Sequence, residues 1–320
     1  MTVLVTGATG VIGSYVVRAL LEQDETVIGV SSRGDPRLLG DAKNDVSLER
    51  CDIRDHERID RLIERSEVET VIHLAALMPA VCRERPVEAV EVNVTATAGL
   101  YASATRAGAR RFVYASSKAV YGPELPPAHG PPEYRPIPEE LPARPVWMYD
   151  VTKHAGELVI DAQRRLGGPE ATSLRFATIY GPGKGARYGD TSVLSRLIET
   201  AIVGGQASLE HGGDQVDDMI WVGDAAEGVV RAALHEGPVQ PFYNIASGRG
   251  RAIREFIDQI CAIRPKAQIE IGPGLRYMGA EPTYGVLDAT RAHEDFGLEI
   301  DPDPVRGAAL FEHALAKLRA

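Results

Sequence analysis

The sequence predicts an α/β fold: a doubly wound parallel sheet with helices on both faces and a smaller C-terminal lobe. Short apolar, β-branched runs alternate with longer stretches whose apolar residues recur at helical spacing. A strand, a helix and a second strand in that order form a right-handed crossover, so consecutive units build a buried parallel sheet. A glycine-rich turn at residues 6–13, between the first strand and the first helix, is the third indication.

The individual elements follow from local patterns. Residues 2–6 are an apolar run, and Asp55 is a candidate N-cap for the helix at residues 55–65. Gly108 ends a long helix over residues 86–107. The other strands are predicted at residues 26–30, 70–74, 111–115 and 171–176, and the other helices at residues 11–21 and 149–166.

Composition favours an ordinary globular protein that acts on a small molecule. The 320 residues carry a net charge of −10, which disfavours nucleic acid as a partner. No apolar run approaches the roughly 18 residues that span a bilayer, and Met1 directly precedes the first strand. We therefore expect no membrane segment and no signal peptide. Cys51, Cys82 and Cys261 lack metal-site spacing, so we expect no metal and reduced thiols in a cytoplasmic protein.

Gly7, Gly10 and Gly13 form the first motif with a chemical meaning. They follow a strand and open a helix, the context in which a glycine loop holds the pyrophosphate of a dinucleotide. Gly7 permits the tight turn, Gly10 lets the backbone approach the phosphates, and Gly13 lets the helix pack closely on the strand. The spacing is GxxGxxG rather than GxGxxG. The loop predicts a Rossmann-type domain whose first helix attracts the anion with its N-terminus.

Tyr149 and Lys153 form the second motif. Residues four apart on a helix lie on the same face. Tyrosine titrates near pH ~10, too high for a base at neutral pH. A neighbouring lysine charge favours the phenolate and lowers the pKa of the tyrosine toward the useful range. With the glycine loop, the pair predicts hydride transfer with a nicotinamide dinucleotide, in which Tyr149 moves the accompanying proton.

These motifs together resemble the extended short-chain dehydrogenase/reductases, in the branch called the NAD-dependent epimerase/dehydratase family. The resemblance covers nearly the whole chain. It is carried by TGATGVIG at residues 6–13, HLAA at residues 73–76, SSKAVYG at residues 116–122, YDVTK at residues 149–153, LRF at residues 174–176 and YGP at residues 180–182.

The resemblance implies roles for individual residues. Tyr149 would be the proton donor and acceptor, Lys153 would tune Tyr149 and hold the nicotinamide ribose, and Ser117 would hydrogen-bond the substrate oxygen. Cofactor contacts are expected from Gly7, Gly10, Val11, Ile12, Gly13, Ser31, Ser32, Arg33, Asp52, Ile53, Leu74, Ala75, Ala76, Asn93, Tyr149 and Lys153. Substrate contacts are expected from Met78, Ser116, Ser117, Thr178 and Tyr180. Asn93 could instead be structural, and His73 is interpreted as a packed core histidine.

We expect two domains. Residues 1–175 would form the dinucleotide-binding domain, in which the proline-rich connection at residues 123–146 folds over or beside the site. Residues 176–320 would form mainly the substrate-binding lobe, with segments near residues 242–246 returning to the main sheet. The resemblance also implies a homodimer formed through the long helices predicted at residues 86–107 and 149–166.

The end of the second strand bears on the choice of dinucleotide. NAD binders usually place an acid roughly 20 residues after the glycines, where it bonds the ribose 2′-OH. Ser31 stands at that place and Arg33 lies close by. Both would accept a 2′-phosphate, which a carboxylate would repel. We therefore expect NADP or NAD as cofactor and prefer NADP, while Asp35 keeps NAD open.

Two positions depart from the pattern that the family's nucleotide-sugar members usually show. Thr178 stands where they have an asparagine, and Asp217 where they have an arginine, both of which contact the diphosphate. A carboxylate would repel a diphosphate unless another cation intervenes. The sequence leaves three candidates for that cation, namely Lys184, Arg187 and Arg196.

We therefore expect an NAD(P)-dependent oxidoreductase that transfers a hydride at a secondary alcohol or ketone carbon of a small polar, sugar-like or hydroxy-acid substrate. Dehydratase and decarboxylase activities are disfavoured because residues 117–119 (SKA) lack the acids that such relatives carry beside the serine. One alternative is a nucleotide-sugar epimerase. Another is a dinucleotide-sensing protein without catalysis, against which the presence of Ser117, Tyr149 and Lys153 argues.

Overall fold

A seven-stranded parallel sheet lies at the centre of the structure, a computed structural model that describes residues 1–33, 35–185, 192–276 and 285–319. The strand order is β10-β6-β5-β4-β1-β2-β3, and every pair in the sheet is parallel. This is the doubly wound order. Strands are added on one side of β1 up to β3, and from β4 onward they are added on the other side, so the order of the strands reverses between β1 and β4. The strands are β1 (Thr2–Thr6), β2 (Thr26–Ser31), β3 (Ser47–Arg50), β4 (Thr70–His73), β5 (Arg111–Ala115), β6 (Glu170–Phe176) and, much later in the chain, β10 (Phe242–Ile245).

Helices cover both faces of this sheet. One face carries α1 (Val11–Leu21) and α8 (Val222–Leu234), which pack against each other. The other face carries α2 (His56–Arg65), α5 (Ala96–Arg106) and α6 (Met148–Arg164). Alternate side chains of each strand feed the two layers, so Val3 and Val5 of β1 join one apolar cluster while Leu4 joins the other. The α/β class and the doubly wound sheet predicted from the sequence are confirmed.

The remaining elements lie beside the carboxyl end of the sheet or in the C-terminal part of the chain. β7 (Thr178–Tyr180), β9 (Val216–Trp221) and β11 (Gly250–Ala252) form a three-stranded sheet, and β8 (Gln206–Leu209) pairs with β12 (Gln268–Ile271). The helices are α3 (Pro79–Glu84), α4 (Pro86–Val90), α7 (Val193–Ile202), α9 (Ile253–Ala262), α10 (Thr290–Phe296) and α11 (Pro304–Arg319). β10 is the edge strand of the main sheet, and α8 packs on one face of that sheet. The second half of the chain therefore contributes to the sheet domain.

The helix predicted over residues 86–107 is interrupted. A π-helical turn, Glu91–Thr95, separates α4 from α5. Such a turn inserts one residue and is frequent at functional sites. It turns Asn93 toward the segment after β4, where the Asn93 side chain bonds both backbone groups of Leu77. The helix therefore bends at the point where that segment needs support.

Local signals set several element ends. Asp55 caps α2 as expected, because its carboxylate accepts a bond of 3.1 Å from the amide of Arg58.

The strands β1, β4, β5 and β6 end side by side, and they are followed directly by Gly7, Leu74, Ser116 and Ala177. The carboxyl edge of a doubly wound sheet is where ligands bind. No helix of the described residues is both long and apolar enough to cross a membrane.

Candidate active site

A cavity of about 630 Å³ opens at this carboxyl edge. Five groups of residues line it: the glycine loop, the segment after β4, the stretch that begins with the two serines after β5, the first turns of α6, and the stretch from the end of β6 through β7 to Lys184. The predicted site residues among them are Gly7, Gly10, Val11, Ile12, Gly13, Leu74, Ala76, Met78, Ser116, Ser117, Tyr149, Lys153 and Thr178. The chain thus brings most of the predicted residues to one place, and no described group of His, Cys, Asp and Glu could hold a metal.

The glycine loop has the geometry of a phosphate cradle. Gly7 has φ +70°, and a Cβ there would lie 2.9 Å from the backbone nitrogen of Ala75. A Cβ on Gly13 would collide with the Gly7 carbonyl oxygen. Gly10 precedes α1 in an extended conformation and has no side chain to cap the helix. The N-terminus of α1 therefore faces the cavity uncapped, which suits an anion.

Lys153 is buried beneath the cavity. Its Nζ donates a bond of 2.7 Å to the carbonyl oxygen of Ala115, lies 4.8 Å from the centroid of the Tyr114 ring and lies 5.9 Å from that of Tyr149. Burial lowers the pKa of Lys153 to about 8. Tyr149 lies one turn earlier on α6, half-buried, on the cavity wall. The shared helical face expected for the pair is present.

Ser117 and Ser116 point to different surroundings. Ser117 is half-buried, lines the cavity, and caps the short 3₁₀ helix Lys118–Tyr121 by accepting a bond of 3.2 Å from the amide of Ala119. The hydroxyl of Ser116 donates a bond of 2.6 Å to Glu157 beneath the cavity. Ser116 therefore supports the wall with its side chain, whereas Ser117 keeps its hydroxyl beside the site.

Glu157 and Arg175 form a buried ion pair under the two serines. The guanidinium donates to both carboxylate oxygens, from Nε and Nη2, at 2.9 Å each. Burial favours the neutral acid, but hydrogen bonds from His154 and Arg175 hold the pKa of Glu157 below its usual value. The sequence signal for this pair is weak, because nothing local links a glutamate on α6 to an arginine on β6.

The same arginine fixes the proline-rich connection. Arg175 Nη1 donates to the Glu139 carbonyl at 3.0 Å and to the Tyr121 hydroxyl at 3.2 Å. The Tyr121 hydroxyl donates to Asn244 Oδ1 at 2.8 Å, and the amide of Asn244 donates to Glu139 Oε1 at 2.9 Å. The connection between Gly122 and Trp147 is therefore tied to β6 and β10 although it contains little regular structure.

Asn93 has a structural position in the described structure. Its Oδ1 accepts from the Leu77 amide at 2.7 Å, and its Nδ2 donates to the Leu77 carbonyl and to Thr152 Oγ1, each at 3.1 Å. These bonds hold the segment after β4 against α6, next to Lys153. The side chain does not line the cavity formed by the described residues, which favours the structural alternative. The cofactor contact expected from Asn93 stays a prediction.

The residues expected around the adenosine end lie outside the 630 Å³ cavity. Ser31 is joined to the glycine loop, since its hydroxyl lies 2.7 Å from that of Thr9. Ser32 and Arg33 are exposed at the end of β2. Asp52 bonds Arg54 at 2.7 Å, and Ile53 is buried.

His73 and Tyr180 are core residues. His73 is fully buried between the hydroxyls of Thr6 at 2.7 Å and Thr97 at 2.9 Å, and burial lowers its pKa to about 3. Tyr180 is 1% exposed, and its ring centroid lies 5.4 Å from that of Phe256. Tyr180 is the last residue of β7, and its ring packs among other aromatic rings rather than lining the cavity. Its contact with substrate stays a prediction that this packing does not support.

Asp217 is paired, which the sequence did not reveal. Its carboxylate forms a close ion pair with Lys118 and accepts a bond of 2.6 Å from the Thr178 hydroxyl. Asp217 is 1% exposed and Lys118 9% exposed, so the pair is largely shielded from water. The repelling carboxylate expected at this position is thus compensated. The only sequence signal for this pair was the occurrence of Lys118 directly after Ser117 together with Asp217 in place of an arginine.

Of the three cations considered from the sequence, Lys184 reaches the cavity. Its Nζ donates to the Ile179 carbonyl, and burial together with the Lys118 charge lowers its pKa to about 8. Arg196 is exposed on α7. Arg187 lies outside the described residues.

Comparisons with known proteins agree with this geometry. The model of the NAD dependent epimerase/dehydratase family matches residues 3–246. The UDP-glucose 4-epimerase of Mycolicibacterium smegmatis is 32% identical over 311 residues, which are 93% of each chain. A putative UDP-glucose 4-epimerase of Methanocaldococcus jannaschii is 30% identical over 81% of each chain. Both matches cover most of each chain.

Solved structures give the same result. The UDP-glucose 4-epimerase of Thermotoga maritima with UDP-glucose has a TM-score of 0.84 at 25% identity and covers 100% of both chains. The UDP-glucose 4-epimerase of Thermus thermophilus with NAD has a TM-score of 0.78 at 25% identity, covering 97% of this chain and 99% of that one. MoeE5, solved with UDP-glucose and NAD, has a TM-score of 0.77 at 26% identity over 100% of both chains.

The buried pair can be tested by removing one partner. Arg175→Met leaves the Glu157 carboxylate buried without its main cation, which typically costs about 3–5 kcal/mol. We expect the free energy of unfolding in urea to fall by that amount. In the matched double variant Arg175→Met/Glu157→Gln neither position of the pair is charged, so part of the lost stability should be recovered. A loss below about 1 kcal/mol in the single variant would contradict the assignment.

The buried lysine predicts a pH dependence. Burial places the pKa of Lys153 at about 8 in the folded chain, below its ordinary value of 10.5. Between these values the unfolded chain binds more protons, so this residue makes stability rise with pH. Without cofactor, the unfolding free energy of wild type relative to Lys153→Met should therefore increase from pH 7 to pH 10. Urea denaturation at both pH values measures it, and a constant or decreasing difference would refute it.

Proposed function

The chain belongs to the NAD-dependent epimerase/dehydratase family and is an enzyme, and we propose that it transfers a hydride between NAD and a secondary alcohol or ketone carbon of a sugar-like substrate. The observation that carries the proposal is the convergence of Ser117, Tyr149 and Lys153 on one cavity with the glycine loop. An acid/base pair beside a phosphate cradle is what oxidation of an alcohol by a nicotinamide requires.

The residues of the cavity fit the dinucleotide. The turn at Gly7 and the close approach at Gly13 leave no room for side chains, and the uncapped N-terminus of α1 supplies amides to an anion. NAD, when bound, supplies the hydride acceptor. The Gly7–Gly13 loop would hold its pyrophosphate, and Lys153 would reach its ribose from beneath.

Within the proposed reaction, Tyr149 takes the proton of the substrate hydroxyl while the hydride leaves the carbon that bears this hydroxyl. The Ser117 hydroxyl orients the substrate oxygen. Lys153, whose charge lies 5.9 Å from the Tyr149 ring centroid, stabilises the phenolate electrostatically. Because Lys153 is buried and bonded to Ala115, it holds this position without help from solvent. In the reverse direction Tyr149 returns the proton to the carbonyl oxygen.

We infer that NAD, rather than NADP, is the dinucleotide. NAD is the dinucleotide in the similar Thermus thermophilus enzyme and in MoeE5. The preference for NADP expected from Ser31 and Arg33 has no support in these comparisons. The Ser31 hydroxyl is already engaged by Thr9, which reduces its value as a phosphate donor.

Nucleotide-sugar epimerisation is the second candidate. Similar proteins are UDP-glucose 4-epimerases, and the pairing of Asp217 with Lys118 removes the strongest objection to a diphosphate. The two candidates differ in the substrate group that would lie against the wall near Thr178, which is a diphosphate only in a nucleotide sugar.

Dimerisation remains a proposal, supported by the exposed apolar side chains Val151 and Leu158 on α6. The cytoplasmic location remains a prediction.

Replacing the proposed acid/base tests the function. Tyr149→Phe keeps the packed ring but removes the group that transfers the proton, so kcat should fall by about 10²–10⁴. The assay follows NADH with a panel of hexoses, hexuronates and UDP-sugars. Tyr15→Phe, outside the cavity lining, is the matched control and should keep its kcat. A Tyr149→Phe enzyme that retains more than about half of the wild-type kcat would exclude the assignment.

Cofactor choice is tested by titration with NADH and NADPH. We expect wild type to bind NADH more tightly. Ser31→Asp should raise the ratio of the NADPH and NADH dissociation constants by roughly tenfold, about 1.4 kcal/mol, because a carboxylate accepts the 2′-OH and repels a 2′-phosphate. Ser31→Asn is the uncharged control and should leave the ratio nearly unchanged. Tighter binding of NADPH by wild type would restore the NADP preference.

A further inference from the structure

Four side chains meet where the cavity wall continues from Ser117 toward β7. Lys118 and Asp217 form a buried ion pair, and Thr178 donates to the same carboxylate at 2.6 Å. Lys184 donates to the carbonyl of Ile179, the residue after Thr178. Lys118, Thr178 and Lys184 line the cavity. The wall on this side therefore presents two lysines, with one carboxylate behind them.

The two lysines are not equivalent. Lys118 has its charge compensated by Asp217 at contact distance. Among the described residues, Lys184 makes no ion pair with a carboxylate, and its hydrogen-bond partner is the neutral Ile179 carbonyl. The Asp217 charge also acts on Lys184, but that carboxylate is already paired with Lys118, so two ammonium groups share one carboxylate. One positive charge is left in excess, and a ligand that brings a negative charge to this wall gains from the arrangement.

The neighbouring carboxylate does not supply that charge. Asp218, next on β9, accepts bonds from the Ser247 amide and hydroxyl at 3.1 and 2.7 Å and from the Gly248 amide at 3.1 Å. Its oxygens are thus held by the loop after β10, and strand alternation directs it away from Asp217. Among the described residues, the carboxylate that lines the cavity is that of Asp150, which accepts a bond from the Trp147 amide at the start of α6.

We propose that Lys184 is a specificity-determining residue that binds a carboxylate of the substrate, which makes the substrate a sugar acid. This inference rests on the proposed function, since it names the substrate class of the same site. The single positive charge in excess among Lys118, Lys184 and Asp217 matches one carboxylate of a substrate. A diphosphate would need further donors, and Thr178 and Asp217 are already bonded to each other.

The position of the lysine agrees with a short substrate. Lys118 directly follows Ser117, whose hydroxyl orients the reacting oxygen, and Lys184 lines the same continuous cavity of about 630 Å³. An anionic group held by Lys184 would therefore lie in the cavity that Ser117 and Tyr149 also line. A carboxylate on the sugar ring has that placement.

The test measures binding to the NADH complex by calorimetry, so that no turnover is required. The probes are D-glucuronate and D-galacturonate, their neutral counterparts D-glucose and D-galactose, and UDP-glucose. We expect wild type to bind a uronate at least roughly tenfold more tightly than the neutral sugar of the same configuration. Lys184→Met should remove that preference, and Lys184→Arg should retain it.

Arg196→Met is the matched control. It removes the same charge from the exposed face of α7, so the dissociation constant for the uronate should stay within about twofold of wild type. Thermal unfolding of each variant shows whether the fold is intact. If Lys184→Met unfolds, Lys184→Gln gives the same comparison with an uncharged polar side chain.

Four results would overturn the inference. They are equal binding of uronates and neutral sugars, tighter binding of UDP-glucose than of either uronate, an unchanged uronate preference in the uncharged Lys184 variant, and no uronate binding up to about 10 mM. The proposed function fails separately. If wild type binds uronates selectively through Lys184 but shows no NAD-linked turnover, the carboxylate subsite is supported and the proposed hydride transfer is contradicted.

Discussion

The buried ion pair between Glu157 and Arg175 is the interaction on which the candidate site depends. Glu157 lies one helical turn after Lys153 on α6, and Arg175 lies near the end of β6. A charged pair in an apolar layer is tolerated only when its hydrogen-bonding groups are satisfied, so its geometry is narrowly fixed. Fixing it sets α6 against the carboxyl edge of the sheet. Tyr149 is therefore placed by a contact two turns further along its helix.

The same pair organises the chain on either side of Ser117. Ser116 bonds the Glu157 carboxylate, which holds the backbone so that Ser117 lines the cavity. Arg175 holds the proline-rich connection through the Glu139 carbonyl. A long loop has little local stability, because its backbone entropy must be offset by contacts elsewhere. Here buried polar groups provide those contacts, so the loop enters α6 in a defined position.

The parts of the fold that the sequence predicted are those determined by neighbours in the chain. The strand, the glycine turn and α1 form one continuous signal, and Tyr149 and Lys153 need only helical spacing to share a face. The contacts that the sequence did not reveal join distant partners. Ser116 bonds a residue 41 positions away, and Lys118 bonds one 99 positions away. Likewise, the Tyr180 ring at the end of β7 packs against Phe256, far along the chain. No periodicity in the sequence carries that information.

Asp217 shows why single departures from a pattern mislead about specificity. Considered alone, an acid in place of a phosphate-binding arginine indicates repulsion. Together with Lys118 it is half of a neutral pair, and neither residue can be exchanged alone without leaving a buried charge uncompensated. The pair thus keeps the wall free of an uncompensated carboxylate. The net charge that a substrate meets is then decided by Lys184, because the one nearby carboxylate, Asp217, is already paired with Lys118.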